Sequence, residues 1–147
     1  MKKWSWPSFP ASIWGLLLCV CAVAAAEQGL AFNAAWVRAM PPGMKMTAAF
    51  GQLHNAGTET IELTAFASPQ FGDVSLHRTQ LVDGVSRMRE VPVLEITAGE
   101  SVTLEPGGYH LMLMMPIGPL ATGQMVTVEM TTGDGASFEF QMPVERR

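Results

Sequence analysis

The sequence has 147 residues, 48% of them hydrophobic, and its 13 acidic side chains outnumber nine Lys and Arg to give a net charge of −4. This length is sufficient for one domain that buries a core of its own. An acidic chain is a poor candidate for binding nucleic acid or anionic lipid, because both partners select basic surfaces.

Residues 1–26 are predicted to be a signal peptide. Lys2 and Lys3 give it a positive start, residues 13–26 (IWGLLLCVCAVAAA) are apolar, and the three alanines that end this run form a cleavage site. The apolar run is shorter than the ~20 residues that cross a membrane as a helix. We expect export to the periplasm, cleavage near Ala26 and no stable membrane insertion afterwards. The alternative is an uncleaved N-terminal anchor.

Cleavage would leave one domain, residues 27–147, that contains no cysteine, because Cys19 and Cys21 both lie in the predicted signal peptide. Two of the nine basic residues would also leave, so that seven remain against 13 acidic residues and the net charge becomes −6. A domain without a thiolate cannot form a zinc finger, a thioredoxin-like redox site or a blue-copper centre.

Short segments of the remaining sequence alternate apolar and polar residues, and turns rich in Gly and Pro separate them. This pattern is typical of an all-β sandwich or barrel with antiparallel strands. No segment has a sustained helical period, and residues 69–91 are the least regular. The predicted strands are residues 31–40, 47–53, 60–67, 74–78, 101–105, 109–115, 125–132 and 138–142.

His110 and Met112 are the first pair of candidate metal ligands. They are two positions apart on a predicted strand, so their side chains point to the same face, ~6.5–7 Å apart along the strand. Leu111 and Leu113 alternate with them and are predicted to face the core. The turn before this strand, Pro-Gly-Gly at residues 106–108, would place the pair near one end of the sandwich.

His77 and Met88 are the second pair. His77 lies on a predicted strand, on the face opposite Val74 and Leu76, and Met88 follows in the irregular stretch, which we expect to be a loop near the sandwich end. Imidazole and thioether donors together suit Cu(I) and suit hard ions poorly. Taken singly, each methionine could be core filler and each histidine a surface residue.

Other candidates are weaker. His54 precedes a turn and is expected to be solvated. Met44 and Met46 form a Met-x-Met that could bind Cu(I), although packing in the core or the turn is the favoured interpretation. The sequence contains no nucleophile motif, no phosphate-binding glycine loop and no His-Glu-x-x-His. Transfer of a metal ion by ligand exchange needs no covalent chemistry from the protein, so we expect a carrier and not an enzyme.

The spacing His77-x10-Met88-x21-His110-x-Met112 resembles the signature of the periplasmic copper chaperones called PCu(A)C (DUF461). The surrounding sequence is similar to that family too, including AWVRAMPPG at residues 35–43 and PGGYHLMLM at residues 106–114. The similarity extends over residues 31–144.

This resemblance implies a cupredoxin-like Greek-key β-barrel that binds one Cu(I) ion per chain through the four side chains. It also implies a copper acceptor, either the dinuclear copper site of cytochrome c oxidase, in subunit II, or a Sco-type protein. The alternative from another functional class is an exported β-sandwich that serves as an interaction or scaffold domain and binds no metal.

Overall fold

Ten β-strands form the part of the chain that the computed structural model describes, which is Met1 and residues 29–147. Apart from Met1, the predicted signal peptide and its cleavage site lie outside the described residues. Within the described part, no helix is long and apolar enough to cross a membrane. The strands are β1 (Leu30–Arg38), β2 (Met46–Asn55), β3 (Ile61–Ala67), β4 (Phe71–Val82), β5 (Val85–Glu90), β6 (Leu94–Ile96), β7 (Ser101–Leu104), β8 (Tyr109–Pro116), β9 (Met125–Thr132) and β10 (Ser137–Glu145).

The strands form one sheet that closes on itself. Their order is β5-β4-β8-β7-β2-β1-β10-β9-β3-β6, with further pairing of β8 to β2 and of β4 to β3. The β3–β4 pairing, at Phe66 and Val74, closes the barrel. β1 runs parallel to β10, and β7 runs parallel to β8. The other pairs are antiparallel. The domain is therefore an all-β barrel, in agreement with the cupredoxin-like Greek-key barrel that the family resemblance implies.

Alternate residues of the strands fill the barrel interior. On β9, Val126, Val128 and Met130 are fully buried, and on β8 Leu111 and Leu113 are fully buried too. Burial of each such side chain contributes roughly 1.5–3 kcal/mol. The period-2 pattern of the sequence therefore identifies the inner face of these strands correctly, and it leaves the intervening residues for the outer face.

The irregular stretch at residues 69–91 is a long hairpin, which corrects the prediction of a short strand at residues 74–78 followed by a loop. β4 and β5 are antiparallel and are joined by Asp83 and Gly84. Both turn residues have positive φ, 52° and 76°, as a two-residue hairpin turn requires. All six residues of β5 are exposed, so the strand has no apolar alternation to reveal it. The three-residue β6 is likewise absent from the predicted strands.

A bulge in β1 lies where two buried aromatic residues, Trp36 and Phe50, meet. The pairing of β1 with β2 jumps from Asn33↔Gln52 to Trp36↔Phe50, so that two residues of β1 lie opposite Gly51. The bulge brings the Trp36 ring to 4.9 Å from the Phe50 ring, measured between centroids. An extra residue of this kind bends a strand and changes the direction of its side chains.

Gly51 is required at the bulge for two reasons. Its φ is +147°, a conformation that side-chain-bearing residues rarely adopt, and a Cβ atom there would lie 2.7 Å from the Phe32 ring and 2.9 Å from the Cα atom of Ala35. Any larger residue would therefore push β1 away from β2 at this point.

Gly51→Ala should destabilise the domain by about 1–3 kcal/mol more than Gly99→Ala, because it adds an overpacking cost. Gly99 is the matched control: its φ of +78° is also positive, but a Cβ atom there would meet nothing within 4 Å. Denaturant unfolding of both variants measures the difference. Equal free energies of unfolding would show that the bulge tolerates a side chain.

Candidate metal centre

His77 and His110 are direct neighbours across two strands. They are paired residues in the antiparallel register of β4 and β8. Their rings stack with centroids 6.0 Å apart and an interplanar angle of 27°. Two imidazoles that are 33 positions apart in the sequence therefore lie side by side on the outer face of the sheet.

Met112 shares this outer face. It lies two residues after His110 on β8, opposite Ser75 of β4 on one side and Ala48 of β2 on the other. The intervening Leu111 is fully buried on the inner face. The i, i+2 arrangement that the sequence predicts is present, in the first half of β8.

Met88 reaches the same face from β5. It is paired with Thr79, two residues beyond His77 on β4, so it is a diagonal neighbour of His77. The expected loop position of Met88 is wrong, because the residue lies within the β4–β5 hairpin. Half of the side chain is exposed. The four predicted ligands thus lie on one face of three adjacent strands, β5, β4 and β8.

A cleft of about 360 Å³ opens on this face. Its lining includes three of the four predicted ligands, while the fourth, His77, does not line the cleft but stacks on the His110 ring. Three further methionines line the same cleft, and the sequence assigned them a packing role or none. The sulfur- and nitrogen-bearing lining residues are Met40, Met44, Met46, Met88, His110 and Met112.

His110 is the most buried donor, with 5% of its surface exposed. Its Nδ1 atom lies 3.2 Å from the carbonyl oxygen of Gly108. Because a carbonyl oxygen only accepts hydrogen bonds, Nδ1 carries the proton and Nε2 keeps its lone pair. This contact fixes the ring in the tautomer that a metal ion would need at Nε2.

Burial lowers the pKa of His110 below its ordinary value of 6.5. The hydrogen bond to Gly108 opposes this shift, whereas the nearby positive charges of His77 and Arg38 add to it. The neutral imidazole is the form that binds a metal ion. The environment of His110 therefore favours the ligating form of the ring before any ion arrives.

His77 is oriented by a hydroxyl group on its own strand. Its Nε2 atom lies 3.0 Å from the Oγ atom of Ser75. Ser75 is also the residue paired with Met112, so the hydroxyl lies between two of the predicted ligands. Contacts of this kind hold a ligand side chain in place from behind.

Aromatic rings form the wall beside His110. The Phe50 ring lies 6.4 Å from the His110 ring, and the guanidinium group of Arg38 lies 4.9 Å above Phe50. This wall shields the imidazole from water and places one fixed positive charge at the edge of the cleft.

The third histidine takes no part in the cleft. His54 accepts or donates a hydrogen bond of 2.9 Å with Ser101 and is half-buried. Among Met1 and residues 29–147, no group of three or more His, Cys, Asp or Glu side chains is placed to hold a metal ion. A site on this face therefore depends on the thioethers.

Comparison with known proteins identifies several similar chains. A family model described as "Putative lipoprotein LpqE-like" matches residues 30–144. "Putative lipoprotein Lxx21020" of Leifsonia xyli subsp. xyli (strain CTCB07) is 36% identical over 118 residues, which cover 80% of this chain and 70% of that protein.

Several solved structures are also similar to this chain. CuI-DR1885 from Deinococcus radiodurans is 32% identical, with a TM-score of 0.65 and 86% of each chain covered. The apo PCuAC domain from PmoF1 has a TM-score of 0.67 at 18% identity, and the match covers 81% of this chain and 95% of that domain. At that identity, the second likeness concerns the fold alone.

The metal-free protein should lose stability as the pH falls below 6.5. Because the pKa of His110 is lowered in the folded state, the unfolded chain binds more protons between that pKa and 6.5, and unfolding becomes more favourable there. His110→Asn cannot titrate and should remove this part of the pH dependence. Denaturant unfolding from about pH 7.5 to about pH 5 measures it. Parallel profiles for the two proteins would contradict the assignment.

Proposed function

Because this chain belongs to the LpqE-like, PCuAC-type family, we propose that it is an exported carrier that binds one Cu(I) ion and passes it to a copper enzyme. The proposed ligands are His77, Met88, His110 and Met112. The observation that carries the proposal is their meeting on one face: three line a single cleft, and the ring of the fourth stacks on His110.

The donor set explains the choice of ion. Two neutral imidazoles and two thioethers contribute no negative charge, so a bound Cu(I) ion keeps its charge of +1. Thioether sulfur is a soft donor that suits Cu(I) and binds the harder Cu(II) poorly. Because no thiolate is used, the donor set cannot be lost to disulfide formation in an oxidising compartment.

The unequal exposure of the donors suggests how the ion leaves. His110 is buried, whereas half of the Met88 side chain is exposed on the β4–β5 hairpin. An incoming thiolate would therefore meet Met88 first. Thiolate is the stronger ligand for Cu(I), so replacement of a thioether by an acceptor cysteine is favourable. The positive charge of Arg38 at the cleft edge also disfavours long retention of a cation.

We also propose which kind of protein receives the copper ion. The ligand spacing resembles that of PCu(A)C chaperones, which implies delivery to the dinuclear copper site of cytochrome c oxidase, in subunit II, or to a Sco-type protein. Both are thiolate acceptors outside the cytoplasm. The protein itself supplies ligands and performs no covalent step, so we propose a carrier without catalytic activity.

Substitution of either kind of ligand should weaken Cu(I) binding by at least ~10-fold. An anaerobic competition titration against a coloured Cu(I) chelator should give one tight ion per chain for the natural protein and weaker binding for His77→Ala and Met112→Ala. His54→Ala and Met125→Leu are matched controls, because neither residue lines the cleft. Unchanged affinity in the ligand variants would favour the alternative, an exported scaffold domain that binds no metal.

Loaded protein should transfer its Cu(I) to an acceptor domain that presents two cysteines, because thiolates bind Cu(I) more strongly than thioethers do. Separation of the two proteins by size, followed by metal analysis of each, measures the transfer. The same acceptor with both cysteines changed to serine should take no copper. Copper that stays with the carrier in the presence of the dithiol acceptor would contradict a delivery role.

A further inference from the structure

We infer that Met44 and Met46 form an accessory Cu(I) position at the mouth of the cleft, weaker than the four-ligand site and open to solvent. This inference rests on the proposed function, because it concerns the path by which the same ion enters or leaves. This position would hold the ion through thioethers alone. The four-ligand site, which has both nitrogen and sulfur donors, would lie next to it and deeper in the cleft.

The register of β2 and β8 places Met46 beside Met112. Ala48 is paired with Met112, and Met46 is paired with Met114. Paired residues share a face, and so do residues two apart on one strand, so Met46 is a diagonal neighbour of Met112. Diagonal neighbours lie ~7–8 Å apart between Cα atoms, within reach of two long flexible side chains. An ion bound at Met46 would therefore be close to a proposed ligand of the inner site.

The connection between β1 and β2 brings Met44 to the same cleft. The backbone N–H of Met44 donates to the carbonyl oxygen of Pro41 over 3.3 Å. Gly43, with φ of +84°, occupies the position of this turn that needs a positive φ. The turn folds the chain back, so that Met40, before it, and Met44, after it, both line the cleft.

The two methionines Met44 and Met46 are not part of the hydrophobic core. Met44 is 50% exposed and Met46 is 45% exposed, whereas Met130 and Met142 are fully buried in the core. The sequence favoured core or turn packing for Met44 and Met46, and such packing accounts for only about half of the surface of each. Lys45, between them, is not among the lining residues, so the cationic side chain does not occupy the cleft.

The donor chemistry predicts a weaker site than the inner one. Thioethers are neutral and soft, which suits Cu(I) and its analogue Ag(I), but here no imidazole assists them. A weak, exposed position next to a tighter, partly buried one would accept the ion from solution and release it inwards. On release, the ion would move from the four-ligand site to the accessory position and from there to an acceptor.

NMR of protein labelled with ¹³C in the methionine methyl groups tests this inference. Single Met→Leu variants assign the methyl signals. During an anaerobic Cu(I) titration, the methyl signals of Met44 and Met46 should shift mainly with ion added beyond the first equivalent. Met44→Leu/Met46→Leu should lose this weaker equivalent. Met115→Leu/Met125→Leu should keep it, because those two exposed methionines lie outside the cleft.

A variant without the inner imidazoles separates this inference from the proposed function. In His77→Ala/His110→Ala, the tight equivalent should disappear while Ag(I) or Cu(I) still shifts the methyl signals of Met44 and Met46. Absence of a tight equivalent in the natural protein would overturn the proposed function alone. Methyl signals of Met44 and Met46 that do not move in either protein would overturn the accessory position, whatever the inner site does.

Discussion

The register between β4 and β8 is the constraint on which the rest of the structure depends. Leu76 is paired with Leu111 and both are buried, while the next pair, His77 and His110, lies on the outer face of the sheet. A slip of one residue would exchange the two faces, turning the leucines outwards and the imidazoles into the core. Each buried leucine contributes roughly 1.5–3 kcal/mol, so the core itself selects the register. Hydrophobic burial on one side of the sheet thereby determines how far apart two rings lie on the other.

The donors of the cleft differ in burial, from the buried imidazole of His110 to the half-exposed thioethers of Met44, Met46 and Met88. A hydrogen bond to the Gly108 carbonyl oxygen and the neighbouring Phe50 ring hold His110 in place. The Phe50 ring in turn packs against Trp36 at the β1 bulge. The methionine donors, by contrast, are long, unbranched and partly exposed, and a thioether can change rotamer at little cost. A preorganised imidazole with adaptable sulfur donors is suited to a carrier, because the ion must be held selectively and still be exchangeable.

Where burial controls the structure, the sequence was sufficient to predict it. The bounds of β9 agree with the predicted strand, and the opposite facing of Leu111 and His110 followed from alternation alone. β5 has no buried residue, so its only sequence signal was the Asp-Gly pair that turns the hairpin. The pairing of His77 with His110 depends on which strands become neighbours, which periodicity does not specify. The position of Met44 depends on the conformation of the loop between β1 and β2, which periodicity does not specify either.

Methionines of the core and methionines of the cleft play different physical parts in this chain. Met130 and Met142 are fully enclosed and fill the core, so their contribution is packing. Met88 is half exposed, and leucine would bury much the same area in its place, so folding free energy does not account for the sulfur atom. The exposed thioethers can therefore be removed with little cost to the barrel, which leaves the chemistry of the cleft separable from the stability of the fold that positions it.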